Sequence, residues 1–292
     1  MEKKIFNTFL VFIIILCSFV MTFCSFESKK RESVSSSENI VLSSEDIISS
    51  LENVASLDKI FIGYYYEYPV FDAYEEKKIY ILKENLELFK KYPENYDPRV
   101  VNDKFICYEE KINDQRNIVI TFDDIEKKYP IQSYFTFVAL DKTGTIFYTD
   151  LLNDDSIKSI SINGDIKKID VNGYVIDVIG NKLYYFLPEP DSPLMCPDEN
   201  IFEYDLNLFV SKKILTNVAG EDTKIMPNQK YIYGQKLIDG GFKPILYNVD
   251  KKEYTQLNIE EALSHIPFYS YQKNKLIFYN SKTLKTQEIT LN

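Results

Sequence analysis

One histidine, four cysteines and 44 acidic side chains bound the chemistry open to this chain. A serine or cysteine nucleophile activated by imidazole would need His265, which follows the short helix-like stretch Asn258-Ile259-Glu260-Glu261-Ala262-Leu263. That place suits a surface imidazole at a helix end, and no Gly-x-Ser-x-Gly elbow accompanies it. A single histidine cannot furnish a multi-histidine zinc centre. Carboxylate pairs are plentiful at Asp123-Asp124, Asp154-Asp155 and Glu260-Glu261. Glycoside hydrolysis requires two carboxyl groups converging from different strands, one with a raised pKa, which adjacency in sequence does not supply. None follows the alternating calcium-loop pattern, so they read as solvated turn residues. No catalytic residue, metal or cofactor is assigned, and the chain reads more as a binder than as an enzyme.

The cysteines divide by position. Cys17 and Cys24 belong to an apolar run from Ile5 to Phe26 that follows Lys3 and Lys4, the pattern of an export signal. Such a run also suffices to span a bilayer as an uncleaved anchor. Cys24 is a candidate lipidation site, although Phe23 stands where lipoprotein signals carry a small residue. Lipoprotein, retained anchor and secreted protein therefore remain three outcomes. Residues 1–26 read as signal or anchor, 27–44 as a polar tether and 45–292 as the folded domain. Cys107 lies in a core-type strand and reads as buried, whereas Cys196 lies in a loop and reads as exposed, with no disulfide between them.

Tyrosine is the unusual resource, 23 residues with no tryptophan. In a strand neighbouring side chains point to opposite faces, so Tyr64-Tyr65-Tyr66 cannot all be core. The loop from Leu187 to Asn200 holds four prolines and is a candidate binding surface through Pro188, Asp191, Met195, Cys196 and Asp198. The formal charge of −10 argues against nucleic acid as a partner, since phosphate affinity comes largely from Lys and Arg.

The elements that carry these residues read as short runs of Ile, Val, Tyr and Phe broken by Asn, Asp, Gly and Lys, an all-β signature. A polar turn followed by an aromatic-rich strand recurs six times, with the residue before the strand at 59, 104, 145, 182, 230 and 275. The spacings of 45, 41, 37, 48 and 45 residues are blade lengths. Downstream hairpins such as Ile157–Ile169 around Asn163-Gly164 bring the count to four strands per unit. The expectation is a six-bladed β-propeller; the alternatives are a β-sandwich or two small β domains. The last unit looks one strand short, and Asn39-Ile40-Val41-Leu42 is expected to supply the outer strand that closes the ring.

Phrases such as Ile201–Leu215 resemble those of TolB-like six-bladed propellers of exported bacterial proteins. The resemblance covers residues 57–292 and implies architecture and the role of a binding scaffold, with no residue-level assignment. The functional expectation is a membrane-tethered, extracytoplasmic interaction module with a protein, peptide or carbohydrate ligand. The competitors are a carbohydrate-active enzyme using paired carboxylates and a self-associating cell-surface protein.

Overall fold

The computed structural model describes residues 59–113, 115–131, 137–188, 199–259, 267–279 and 286–291. The expected boundary at 44/45, the Asn39–Leu42 strand, Cys24, Cys196 and His265 lie outside them.

Each blade is an antiparallel meander whose first strand is innermost. The first blade holds β1 (Ile60–Tyr65), β2 (Tyr68–Ala73), β3 (Lys78–Leu82) and β4 (Leu86–Lys91). The second holds β5 (Tyr96–Asn102), β6 (Phe105–Ile112), β7 (Gln115–Phe122) and β8 (Ile125–Ile131). In the third are β9 (Val138–Leu140), β10 (Ile146–Asp150), β11 (Ser156–Ile160) and β12 (Ile166–Asn172). The fourth comprises β13 (Tyr174–Ile179), β14 (Lys182–Pro188), β15 (Glu199–Asp205) and the first half of β16 (Val210–Ile225). The second half of β16 then serves as the innermost strand of the fifth blade, pairing with β17 (Tyr231–Ile238), followed by β18 (Gly241–Asn248) and β19 (Glu253–Gln256). The sixth blade has three strands among the described residues, β20 (Phe268–Ser270), β21 (Lys275–Tyr279) and β22 (Thr286–Thr290). The chain is a β-propeller, and among the described residues its last blade has one strand fewer than the others. A sandwich or two separate β domains would not bring residues from all six blades to one cavity, as happens here.

One register expectation needs correction. Five of the six repeated turns lead into the second strand of a blade, but Asp58-Lys59 leads into the innermost strand β1. The second strand of that blade begins at Tyr68, after the turn at Tyr66, which is exposed and has a positive φ of 55°. The local grammar of turn plus aromatic strand is the same in both places, so pattern alone cannot tell a first strand from a second.

The core is divided by seam. Phe105, Cys107, Ile118 and Ile120 of the second blade meet Leu140, Ile146, Tyr148 and Ile160 of the third. On the other face of the second blade, Ile106, Tyr108 and Val119 meet Val70, Ile79 and Ile81 of the first. Both faces of a blade are therefore buried, and alternation along a strand sorts side chains between two cores rather than between core and solvent. Tyr184 and Tyr185 illustrate this, one in the seam with the fifth blade and the other in the seam with the third, and both are buried. Cys107 is buried with a free thiol, as expected, and burial pushes that thiol's pKa up.

Candidate functional site

The innermost strands enclose a cavity of about 420 Å³. Its wall draws on all six blades: β1, β5, β9, β13, the end of β16 with Met226 and Pro227, and Pro267 and Tyr271 flanking β20. These strands are largely apolar in sequence because their side chains also feed the seams. Polar side chains on the wall therefore stand out, among them Tyr64, Arg99, Asn102, Asp141, Asp177, Lys224 and Tyr271.

Three of these are committed to the scaffold, Asn102 by donating its side-chain amide to the Leu140 carbonyl. The Asp141 carboxylate accepts the N–H groups of Thr143 (2.8 Å) and Thr145 (2.9 Å) and the Thr143 hydroxyl (2.7 Å), so it builds the turn between β9 and β10. Arg99 pairs with Asp97 (3.0 Å) and with the fully buried Glu109, which Arg116 grips from the next strand. The Arg99 Nε hydrogen, by contrast, has no acceptor among the described residues.

Asp177 and Lys224 are different. Asp177 interrupts the apolar strand Val175-Ile176-Asp177-Val178-Ile179, at a bulge where β13 skips one residue against β14. Its carboxylate accepts the N–H of Val178 (2.7 Å). Burial in the wall pushes its pKa up to about 6, against the pull of that hydrogen bond and of Lys224. Burial likewise lowers the pKa of Lys224, with Asp177 and Asp222 acting the other way. Across the channel, burial raises the Tyr64 hydroxyl well above its usual range and lifts Tyr271 to about 12. The Asp177 charge adds to both shifts, which places the carboxylate and the two phenols in one electrostatic neighbourhood. The Tyr64 and Tyr271 rings meet edge to face at 5.3 Å. A carboxyl group that titrates near neutrality, an amine with a weakened hold on its proton and two aromatic faces can thus meet a polar ligand through hydrogen bonds and stacking.

The sequence-derived candidates fare unevenly. Pro188 closes the β14 ladder opposite Glu199, while Asp191, Met195, Cys196 and Asp198 lie outside the described residues. Asp123, Asp124, Asp154 and Asp155 all adopt positive φ in turns, consistent with solvated corners rather than a reactive pair. Among the described residues no group of three or more His, Cys, Asp or Glu side chains is gathered to hold a metal. Sequence reasoning missed Asp177 and Lys224, although an aspartate inside an otherwise apolar strand was the available signal.

No protein-family model matches the chain, and no curated protein matches its sequence. Solved structures do. An oligogalacturonate lyase from Vibrio parahaemolyticus aligns with a TM-score of 0.53 at 7% identity, over 76% of this chain and 73% of that one. A gluconolactonase from Xanthomonas campestris aligns at 0.50 and 9% identity, over 77% and 84% respectively. TolB from Acinetobacter baumannii aligns at 0.48 and 12% identity over 63% of this chain, which spans about half (51%) of that protein. At such identities the likeness of the first two concerns fold alone, and it agrees with the propeller read from topology and channel.

Proposed function

We propose that the chain is an extracytoplasmic, membrane-tethered propeller that binds a small polar ligand or a chain end, of peptide or carbohydrate, in its central channel without transforming it. The observation that carries this reading is the convergence of Asp177, Lys224, Tyr64 and Tyr271 from four different blades on one cavity. Export and tethering rest on the apolar run Ile5–Phe26 and the polar stretch after it. The acidic-enzyme reading has one point in its favour, the raised pKa of Asp177, which suits a general acid. It lacks a partner, because the other wall carboxylate, Asp141, is spent on its own turn.

The test is binding of the full chain to arrayed glycans and peptides, repeated with Asp177→Asn and Lys224→Gln. Retention that falls at least about tenfold in either variant fits the channel site, that being the cost of roughly one charge-assisted hydrogen bond. Ligands retained equally by both variants place recognition elsewhere. Time-dependent cleavage of a retained glycan that disappears in Asp177→Asn would replace binding by catalysis.

A further inference from the structure

Phe209 adopts a φ of 59° at the corner between β15 and β16, a left-handed conformation that is costly for a bulky side chain. Asp205 holds it there. Its carboxylate accepts the N–H groups of Asn207 (2.8 Å) and Leu208 (3.0 Å), and its carbonyl accepts that of Phe209 (2.8 Å). The outcome is three consecutive apolar side chains held out in water, Leu208 71%, Phe209 74% and Val210 59% exposed. Exposed Lys212 and Lys213 follow directly on β16.

The preceding blade has a smaller counterpart at its equivalent corner, where a glycine, Gly164, takes the positive φ and one apolar residue, Ile166, 58% exposed, stands between exposed Asp165 and exposed Lys167 and Lys168 on β12. The two corners belong to one region. Ile169 and Val171 of β12 share an apolar cluster with Phe202 and Leu206 beside the second corner, and the Asp170 charge reaches the hydroxyl of Tyr204. At the corresponding corner of the second blade Ile125 is also exposed, but Asp123, Asp124 and Glu126 flank it, and the lysines that follow are engaged, Lys127 by the Ile162 carbonyl and Lys128 by Glu110 and Glu126. Lysines on outer strands blunt edge-to-edge pairing, but that role gives no reason to hold Phe209 outward in a strained turn.

We propose that the outer corners of the third and fourth blades form a bilayer-docking edge. Leu208, Phe209 and Ile166 enter the boundary between headgroups and acyl chains, while Lys167, Lys168 and Lys212 meet anionic headgroups. An apolar wedge with a basic flank is the combination that interfacial binding requires, and here it stands on a chain whose formal charge is −10. None of these residues lines the channel cavity. The edge complements the tether of the proposed function without depending on it.

The chain has no tryptophan, so Phe209→Trp introduces a single reporter indole into the full protein. Leu152→Trp, at the exposed corner between β10 and β11 at the other end of its blade, is the control. Each variant is mixed with vesicles of phosphatidylcholine alone or of phosphatidylcholine and phosphatidylglycerol, with brominated acyl chains as quencher. The edge predicts a blue shift and about twofold quenching of the indole at 209 with the anionic vesicles, and none at 152. Converting Lys167, Lys168 and Lys212 to Glu should raise the lipid concentration needed by roughly fivefold or more per charge. Equal quenching at both positions, or none at 209 in chains that float with the vesicles, overturns the edge; the latter result would still support the tether. A blue shift at 209 that grows with protein concentration in the absence of lipid assigns the corner to a second copy of the chain and also overturns it.

Discussion

The first blade meets its two neighbours by different means. Against the second blade, β1 lies parallel to β5 with Gly63 opposite Val101 and Tyr64 opposite Asn102, so the innermost backbones run side by side. Gly63 makes this approach possible, since at its φ of 133° an added Cβ would overlap the Val101 carbonyl oxygen. Against the sixth blade no strand ladder forms among the described residues, and side chains take its place. Phe268 packs on Phe61 and Phe71 at 6.1 and 5.6 Å, and the Tyr279 ring meets Phe71 at 5.6 Å. Two phenols then supply the polar links: Tyr279 donates to the Lys59 carbonyl and accepts the Phe61 N–H, and Tyr64 accepts the Tyr269 N–H. A ring can thus be joined by close backbone approach where sequence neighbours meet, and by aromatic rings with hydroxyl tips where its two ends meet.

The largest expected effect comes from Phe268→Ala, which removes the ring at the centre of the closing seam and should cost about 4 kcal/mol in denaturant unfolding. A cost under about 1 kcal/mol would show that the seam is held elsewhere. Gly63→Val attacks the opposite seam; backbone strain and overlap together should cost about 3 kcal/mol, read as a lowered melting temperature. Tyr279→Phe keeps the ring but leaves the Lys59 carbonyl and Phe61 N–H without their hydroxyl partner, for a loss of about 2 kcal/mol. If Tyr279→Phe costs nothing, the aromatic contacts alone close the ring.

The smallest effect has the opposite sign. The folded-state pKa of Asp177, about 6, lies above the ordinary value near 4. The folded protein therefore holds this proton more tightly than the unfolded chain does. Its contribution to stability is complete below about pH 4 and is lost as pH rises through about 6. Asp177→Asn should accordingly stabilise the protein by about 1 kcal/mol at pH 7.5 and flatten its melting profile between pH 4 and 6. Asp72, whose pKa burial also raises to about 6 despite the hydrogen bond from Tyr92, remains in that variant, so a weaker slope of the same sign should persist.

The blades were legible in the sequence because their hairpins are local: Asn163-Gly164 and the corners at Asn207 and Asp250 punctuate them, and each blade pairs strands that follow one another. Cys107 was legible for the same reason, as part of an unbroken apolar strand. The channel was not, because it assembles from side chains far apart in sequence. Asp177 and Lys224 come from neighbouring blades, and Tyr64 and Tyr271 from opposite ends of the chain. The innermost strands also hide their own identity. β9 and β20 are three residues long, and the innermost strand of the fifth blade is continuous with the outer strand of the fourth, so no turn announces it. Acidic pairs drew notice in the sequence because they were adjacent, yet the carboxylate on the channel wall is a single residue made unusual by its apolar neighbours.

The contact between Phe61 and Tyr279 spans 218 positions, which gives it a meaning in time as well as in space. On a ribosome adding about 5 to 20 residues per second, roughly 10 to 40 s separate the emergence of the two partners. Through that interval Phe61 and Phe71 present an unsatisfied aromatic face. The first blade is thus the earliest to be made and the last to be covered, and its exposed face is where a nascent or stalled chain would stick to itself or be met by a chaperone.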